Sequence, residues 1–124
     1  MIKKKRIEFS SKTSDTALSY SDLGDSLSEL IKSIFIENKY SYIEDNSFES
    51  DWCIKLKKEQ KEFILVIVVI EQDVNLFKCM ILFEDYNNKV LYDEEVFKTS
   101  FEIISLALSE IEEIENIKIV EVSQ

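Results

Sequence analysis

This sequence predicts an α+β fold: an antiparallel sheet of four to five strands with two helices on one face, in the order α-β-β-β-β-α-β. Three observations carry the expectation. Two segments place apolar residues at intervals of three and four, three short β-like runs lie between them behind charged turns, and the C-terminal residues alternate apolar and polar. A length of 124 residues suits one domain, and 45% hydrophobic beside 32% charged residues excludes an intrinsically disordered chain.

Residues 1–19 read as a basic N-terminal arm and linker, and residues 20–124 as the single α+β domain. The arm holds Lys3, Lys4, Lys5 and Arg6, and residues 10–19 are rich in Ser and Thr. A first helix opens near the possible cap Ser21, carries Leu23, Leu27, Leu30, Ile31, Ile34 and Phe35 on one face, and stops at Asn38. Gly24 weakens its first turn. Residues 39–50 form a loop with a short extended piece at 40–43. In residues 51–57, Trp52, Ile54 and Leu56 alternate with Cys53, Lys55 and Lys57, the pattern of an outer strand with one apolar face. Residues 63–70 are apolar on both alternations, which predicts a central strand covered above and below. Residues 76–83 are nearly the same, interrupted by Lys78. Asn87 and Asn88 suit a tight turn into a short fourth strand at 90–92. The second helix starts between residues 93 and 99, where Thr99 and Glu102 have capping-box spacing. It carries Phe101, Ile104, Leu108 and Ile111 and closes at Asn116. Residues 117–122 then make a last strand at an edge.

Two helices can cover only one side of this sheet, while two strands are apolar on both. A second copy of the chain, in a homodimer, or a bound partner is expected on the other side. The formal net charge is −10, and it is divided: residues 1–12 hold five cations against Glu8, or +4, which leaves −14 for residues 13–124. A body this acidic repels nucleic acid directly and steers toward basic protein partners. No apolar run follows the basic cluster as in an export signal, and residues 63–70 fall far short of a membrane helix, so a cytoplasmic chain with no membrane contact is expected.

Composition also removes function classes. The chain has no His, which excludes His-dependent nucleophilic chemistry, and its one glycine, Gly24, lies in a helix, so no Gly-rich phosphate loop exists. Cys53 and Cys79 fall on the outer strands of a three-strand meander, about 9.6 Å apart and beyond disulfide reach. They are too few for a zinc site. We therefore expect no catalytic residues, no metal and no cofactor: the chain is read as a non-enzyme. The candidate partner-binding residues are the aromatic group Tyr40, Tyr42, Phe48 and Trp52, a composition common in binding hot spots, and the acidic group Glu110, Glu112, Glu113 and Glu115 at the end of the second helix. The helix dipole disfavours acids there, which suggests retention for contact with a basic partner.

The leading helix ending near Asn38, the strand opening at Asp51 and Trp52, the apolar hairpin over 63–83 and the helix bearing Phe97, Phe101, Ile104 and Leu108 resemble, across residues 20–114, the type III secretion chaperones and YbjN-like small acidic proteins. That resemblance implies a dimeric, chaperone- or adaptor-like module that binds an extended partner segment. In size and charge the chain is also similar to immunity proteins, small acidic inhibitors that block a basic, nucleic-acid-binding site on their target. The element order further resembles nucleases of the PD-(D/E)xK type, which need an acid two positions before the strand lysine. Leu76 stands there before Lys78, and the pair Glu59 and Lys61 falls in a turn, so this resemblance implies a degenerate fold without activity.

Overall fold

A computed structural model describes residues 3–12, 20–48, 51–73, 76–84 and 95–123. Among these residues it has an α+β fold in which six strands form one open antiparallel sheet and two helices pack on one face. The strands are β1 (Lys3–Lys12), β2 (Ser41–Phe48), β3 (Asp51–Lys58), β4 (Lys61–Asp73), β5 (Leu76–Glu84) and β6 (Ile114–Ser123); the helices are α1 (Tyr20–Glu37) and α2 (Glu95–Ser109). The order across the sheet is β2-β3-β4-β5-β1-β6, every neighbouring pair antiparallel.

Two corrections to the expected fold widen the sheet. The basic arm is not an appendage: it is β1, hydrogen-bonded between β5 and β6, with Ile7 opposite Ile81 and Ile119. Ile7 and Phe9 are buried, and this anchors the strand despite the cations at its start. Likewise the expected loop at 39–50 contains β2. Its polar composition suits an edge, and it displaces β3 from the outer position that alternation gave it. The expected fourth strand at 90–92 lies outside the described residues.

The core sits between the helices and one sheet face. Along β3, β4 and β5 every second side chain points into it: Trp52, Ile54 and Leu56, then Phe63, Leu65, Ile67 and Val69, then Phe77, Cys79, Ile81 and Phe83. Leu27, Ile31 and Phe35 of α1 and Phe97, Phe101, Ile104 and Leu108 of α2 close it from above. Six rings, Phe35, Tyr40, Phe63, Phe83, Phe97 and Phe101, form an edge-to-face chain at centroid distances of 4.7 to 6.2 Å.

The helix ends have local causes. After α1 the chain takes a left-handed residue at Lys39 (φ 72°), with Tyr40 N–H donating to the Phe35 carbonyl at 3.0 Å and Lys39 N–H to that of Ile36 at 3.1 Å. This is the Schellman pattern, completed by the Tyr40 ring packing on Phe35. Helix α2 ends at Ser109, earlier than expected. Asn116 does not close it; it lies inside β6 with φ 57°, at a bulge against β1.

Candidate functional site

The second sheet face is where the strand pattern and the architecture disagree. Residues opposed across antiparallel strands share a face. One row therefore runs Val120, Arg6, Leu82, Val66 and Cys53, and the next Lys118, Glu8, Met80, Val68 and Asp51; Ser10, Lys78 and Ile70 form a third. None of these belongs to the core cluster, and no described element packs over them. Their middle is a strip two strands wide, about 10 Å, made by Ile64, Val66, Val68 and Ile70 of β4 with Met80 and Leu82 of β5. Charged side chains border it on β1 and β3. Ile70 is 44% exposed, whereas Val66 is 7% exposed, shielded by its neighbours within the sheet.

The residues expected to contact a partner do not form one surface. Trp52 is buried and faces α1, its indole donating to Asp25 Oδ1 at 2.8 Å. Tyr40 is buried in the ring chain. Its hydroxyl lies 2.7 Å from Ser100 Oγ, and because Ser100 donates onward to the Val96 carbonyl at 2.6 Å, Tyr40 is the donor. Burial pushes the Tyr40 phenol above its ordinary value, the Ser100 contact opposing. Both rings are structural, and neither offers a face to solvent. Tyr42 is half-exposed on the β2 edge, donating to Asp45 Oδ1 at 2.7 Å with Lys32 Nζ 4.6 Å above its ring. Lys32 also binds Asp45 Oδ2 at 2.9 Å, and the hydrogen bonds from Tyr42 and Lys32 hold the Asp45 carboxyl below the usual carboxylate range. Phe48 is the last residue of β2, opposite Asp51.

Of the acidic group, Glu110, Glu112 and Glu113 are exposed in the turn between α2 and β6, beyond the helix rather than on its last turn. Glu115 is inside β6 and pairs with Lys12 at 2.9 Å. An acidic turn thus exists, made by Glu110, Glu112 and Glu113.

The cysteines point to opposite faces: Cys79, opposite Phe9 and Val69, into the core, and Cys53, opposite Val66, onto the open face. Desolvation pushes the Cys79 thiol up to about 12 and raises that of the half-buried Cys53, with Asp51 and Glu84 adding to the latter. Neither is an activated nucleophile. Among the described residues no group of three or more His, Cys, Asp or Glu could hold a metal ion, and no helix is long and apolar enough to cross a membrane.

Sequence reasoning missed a second feature of the open face. Two β-bulges, at Gln72 of β4 and at Asn116 of β6, flank a notch of about 440 Å³ whose lining includes Glu8, Ser10, Lys78 and Lys118. Only the insertion of β1 between β5 and β6 brings these four together. No family model and no curated protein matches this chain, so its reading rests on its own geometry.

Proposed function

We propose that the chain is a non-catalytic protein-binding module, chaperone- or adaptor-like, that buries its open sheet face against another polypeptide. The observation supporting this reading is the apolar strip on β4 and β5, present on the alternation that the helices leave uncovered. Strands facing water on one side normally alternate apolar and polar, and β4 does not. Homodimerisation through this strip is the simplest form of the proposal. A symmetric interface of standard size removes about 1,200 to 2,000 Å² in total, which the strip and its charged borders on two copies can supply.

Sedimentation velocity at tens of micromolar, in low and high salt, tests it together with binding of a polarity-sensitive dye. Repulsion between two chains of −10 opposes pairing, so association should strengthen as salt screens charge beyond about 8 to 10 Å. The double variant Val68→Lys/Ile70→Lys should remain folded and lose both association and dye binding. A monomer at both salt concentrations with no dye signal refutes the proposal.

The exposed turn bearing Glu110, Glu112 and Glu113 favours a second reading, an acidic inhibitor of a basic protein site. Here salt acts in the opposite direction: capture of a basic partner weakens as salt rises, and reversing the three charges abolishes it while Val68→Lys/Ile70→Lys leaves it intact.

A further inference from the structure

The notch on the open face combines features that a merely solvated surface does not need. Two of the sheet's three bulges among the described residues border it; the third lies on β2, between Tyr42 and Glu44. On β6, Asn116 and Ile117 together oppose the single residue Phe9; on β4, Gln72 is the unpaired residue between Glu71 and Asp73. Bulges re-aim side chains and concentrate beside binding sites. At its floor lies Glu8, whose side chain is only 8% exposed although no described element covers this face. Glu8 Oε2 accepts from Arg6 Nε at 2.6 Å, whereas Oε1 is 3.9 Å from Lys78 Nζ, an ion-pair distance too long for a hydrogen bond. Lys118, opposite Glu8 on β6, is exposed at the rim and makes no ion pair among the described residues.

The charges select the ligand. Three cations, Arg6, Lys78 and Lys118, surround one carboxylate, a local +2 on a chain of −10. A simple cation meets three like charges. A simple anion satisfies the lysines but sets like charge against Glu8 and leaves Oε1 without a donor. A molecule that carries a hydrogen-bond donor beside an anion satisfies both, its ammonium on Glu8 Oε1 and its carboxylate between Lys78 and Lys118. We infer that this notch binds a free α-amino acid in its zwitterionic form. About 440 Å³ is at the small end of ligand sites, and Ser10, Gln72 and Asn116 offer further hydrogen bonds to a polar side chain. The inference does not rest on the protein-binding reading, since the notch lies beside the apolar strip and uses none of its residues.

The test is titration of the full-length chain, followed by nitrogen–proton correlation spectra at neutral pH and fixed ionic strength. Three probes share one skeleton: L-serine, L-serine methyl ester, which lacks the anion, and N-acetyl-L-serine, which lacks the ammonium. L-Serine should shift the amide signals of Ser10, Lys78, Asn116 and Lys118 saturably, in the millimolar range, and each derivative should bind roughly tenfold or more weakly. Lys118→Gln should remove the preference for L-serine over its ester, and Glu8→Gln the preference over N-acetyl-L-serine. Lys98→Gln, on the exposed side of α2, should change neither. The spectra report folding of each variant, and Lys118 is at the rim, so its variant tests the site even if Glu8→Gln disturbs the sheet. Absence of saturation by about 100 mM L-serine overturns the inference. So does equal binding of the three probes, or binding indifferent to Lys118→Gln in a folded chain.

Discussion

Replacing Gly24 by Ala should destabilise the protein, against the usual sign of that change in a helix. In an exposed helix interior Gly→Ala gains about 0.5–1 kcal/mol, because Ala loses less backbone entropy. At position 24 a Cβ would fall well inside van der Waals contact with Cη2 and Cζ2 of the Trp52 indole. The ring cannot simply withdraw. It is 4% exposed, it lies on β3 under α1, and its Nε1 is held by Asp25 at 2.8 Å. Overpacking a core costs about 1–3 kcal/mol, and straining a hydrogen bond to a charged group adds about 1 kcal/mol. After subtracting the propensity gain, the net loss is about 2 kcal/mol, or a fall in Tm of roughly 6–10 °C for a domain of this size. Thermal and urea unfolding measure it. In a Trp52→Leu background the obstructing ring is gone, and Gly24→Ala should revert to stabilising by about 0.5–1 kcal/mol. A Gly24→Ala protein as stable as the parent with Trp52 in place refutes the close-packing argument.

Three further outcomes follow from single residues. Ile67→Asp should abolish the fold, because an unpaired charge in the core costs several kcal/mol against a total stability of about 5–15; Val66→Lys, one residue earlier on the open face, should leave a cooperative melt. Equal loss of structure in both would mean the open face is covered. Glu59 holds φ 57° in the turn between β3 and β4, so Glu59→Gly should raise stability by about 1 kcal/mol, measured as a higher urea midpoint at unchanged m-value. Cys79 has its thiol raised from an ordinary 9.0 to about 12 by desolvation, so the unfolded chain loses that proton first. The contribution of Cys79 to stability is complete below pH 9 and is lost as pH rises toward 12. Cys79→Val should remove this part of the alkaline decline, and in the parent a thiol reagent should label Cys53 well before Cys79.

How much of this was legible in the sequence depended on the range of the interaction. Leu27, Ile31 and Phe35 announce α1 because helical spacing is local, and residues 63–70 announce a central strand because both alternations are apolar. The first strand was obscured by its own charges: the cluster of residues 3–6 dominates a segment in which only Ile7 and Phe9 mark the buried face. Residues 41–48 have little strand propensity, and they are a strand because β3 supplies a hydrogen-bonded partner. Trp52 and Tyr40 stand among the candidate contact residues because aromatic composition is the same in cores and binding hot spots. What separates them is long-range, since their polar atoms reach Asp25 and Ser100 on the helices. The open strip could be inferred from β4 alone. The notch could not, because it exists only once residues distant in the chain become neighbouring strands.

The placement of β1 also changes what the charge division means. Read as an arm and a body, +4 against −14 suggests a tail beside an acidic surface; in the fold two of the cations pair across the sheet, Lys5 with Glu121 at 3.7 Å and Lys12 with Glu115 at 2.9 Å, both on the neighbouring β6. Such partly exposed pairs are worth about 0–1 kcal/mol each, while burying Ile7 and Phe9 contributes about 1.5–3 kcal/mol apiece. Burial therefore holds β1 in the sheet, and the ion pairs favour one register against β6 over its alternatives. A consequence reaches the surface. Arg6, Lys78 and Lys118 make the open face locally positive where β1 meets β6, while Glu110, Glu112 and Glu113 make the turn leading into β6 negative. Were a partner to dock on the apolar strip as proposed, it would meet positive charge where β1 joins β6 and negative charge at the turn into β6, and that difference would orient it.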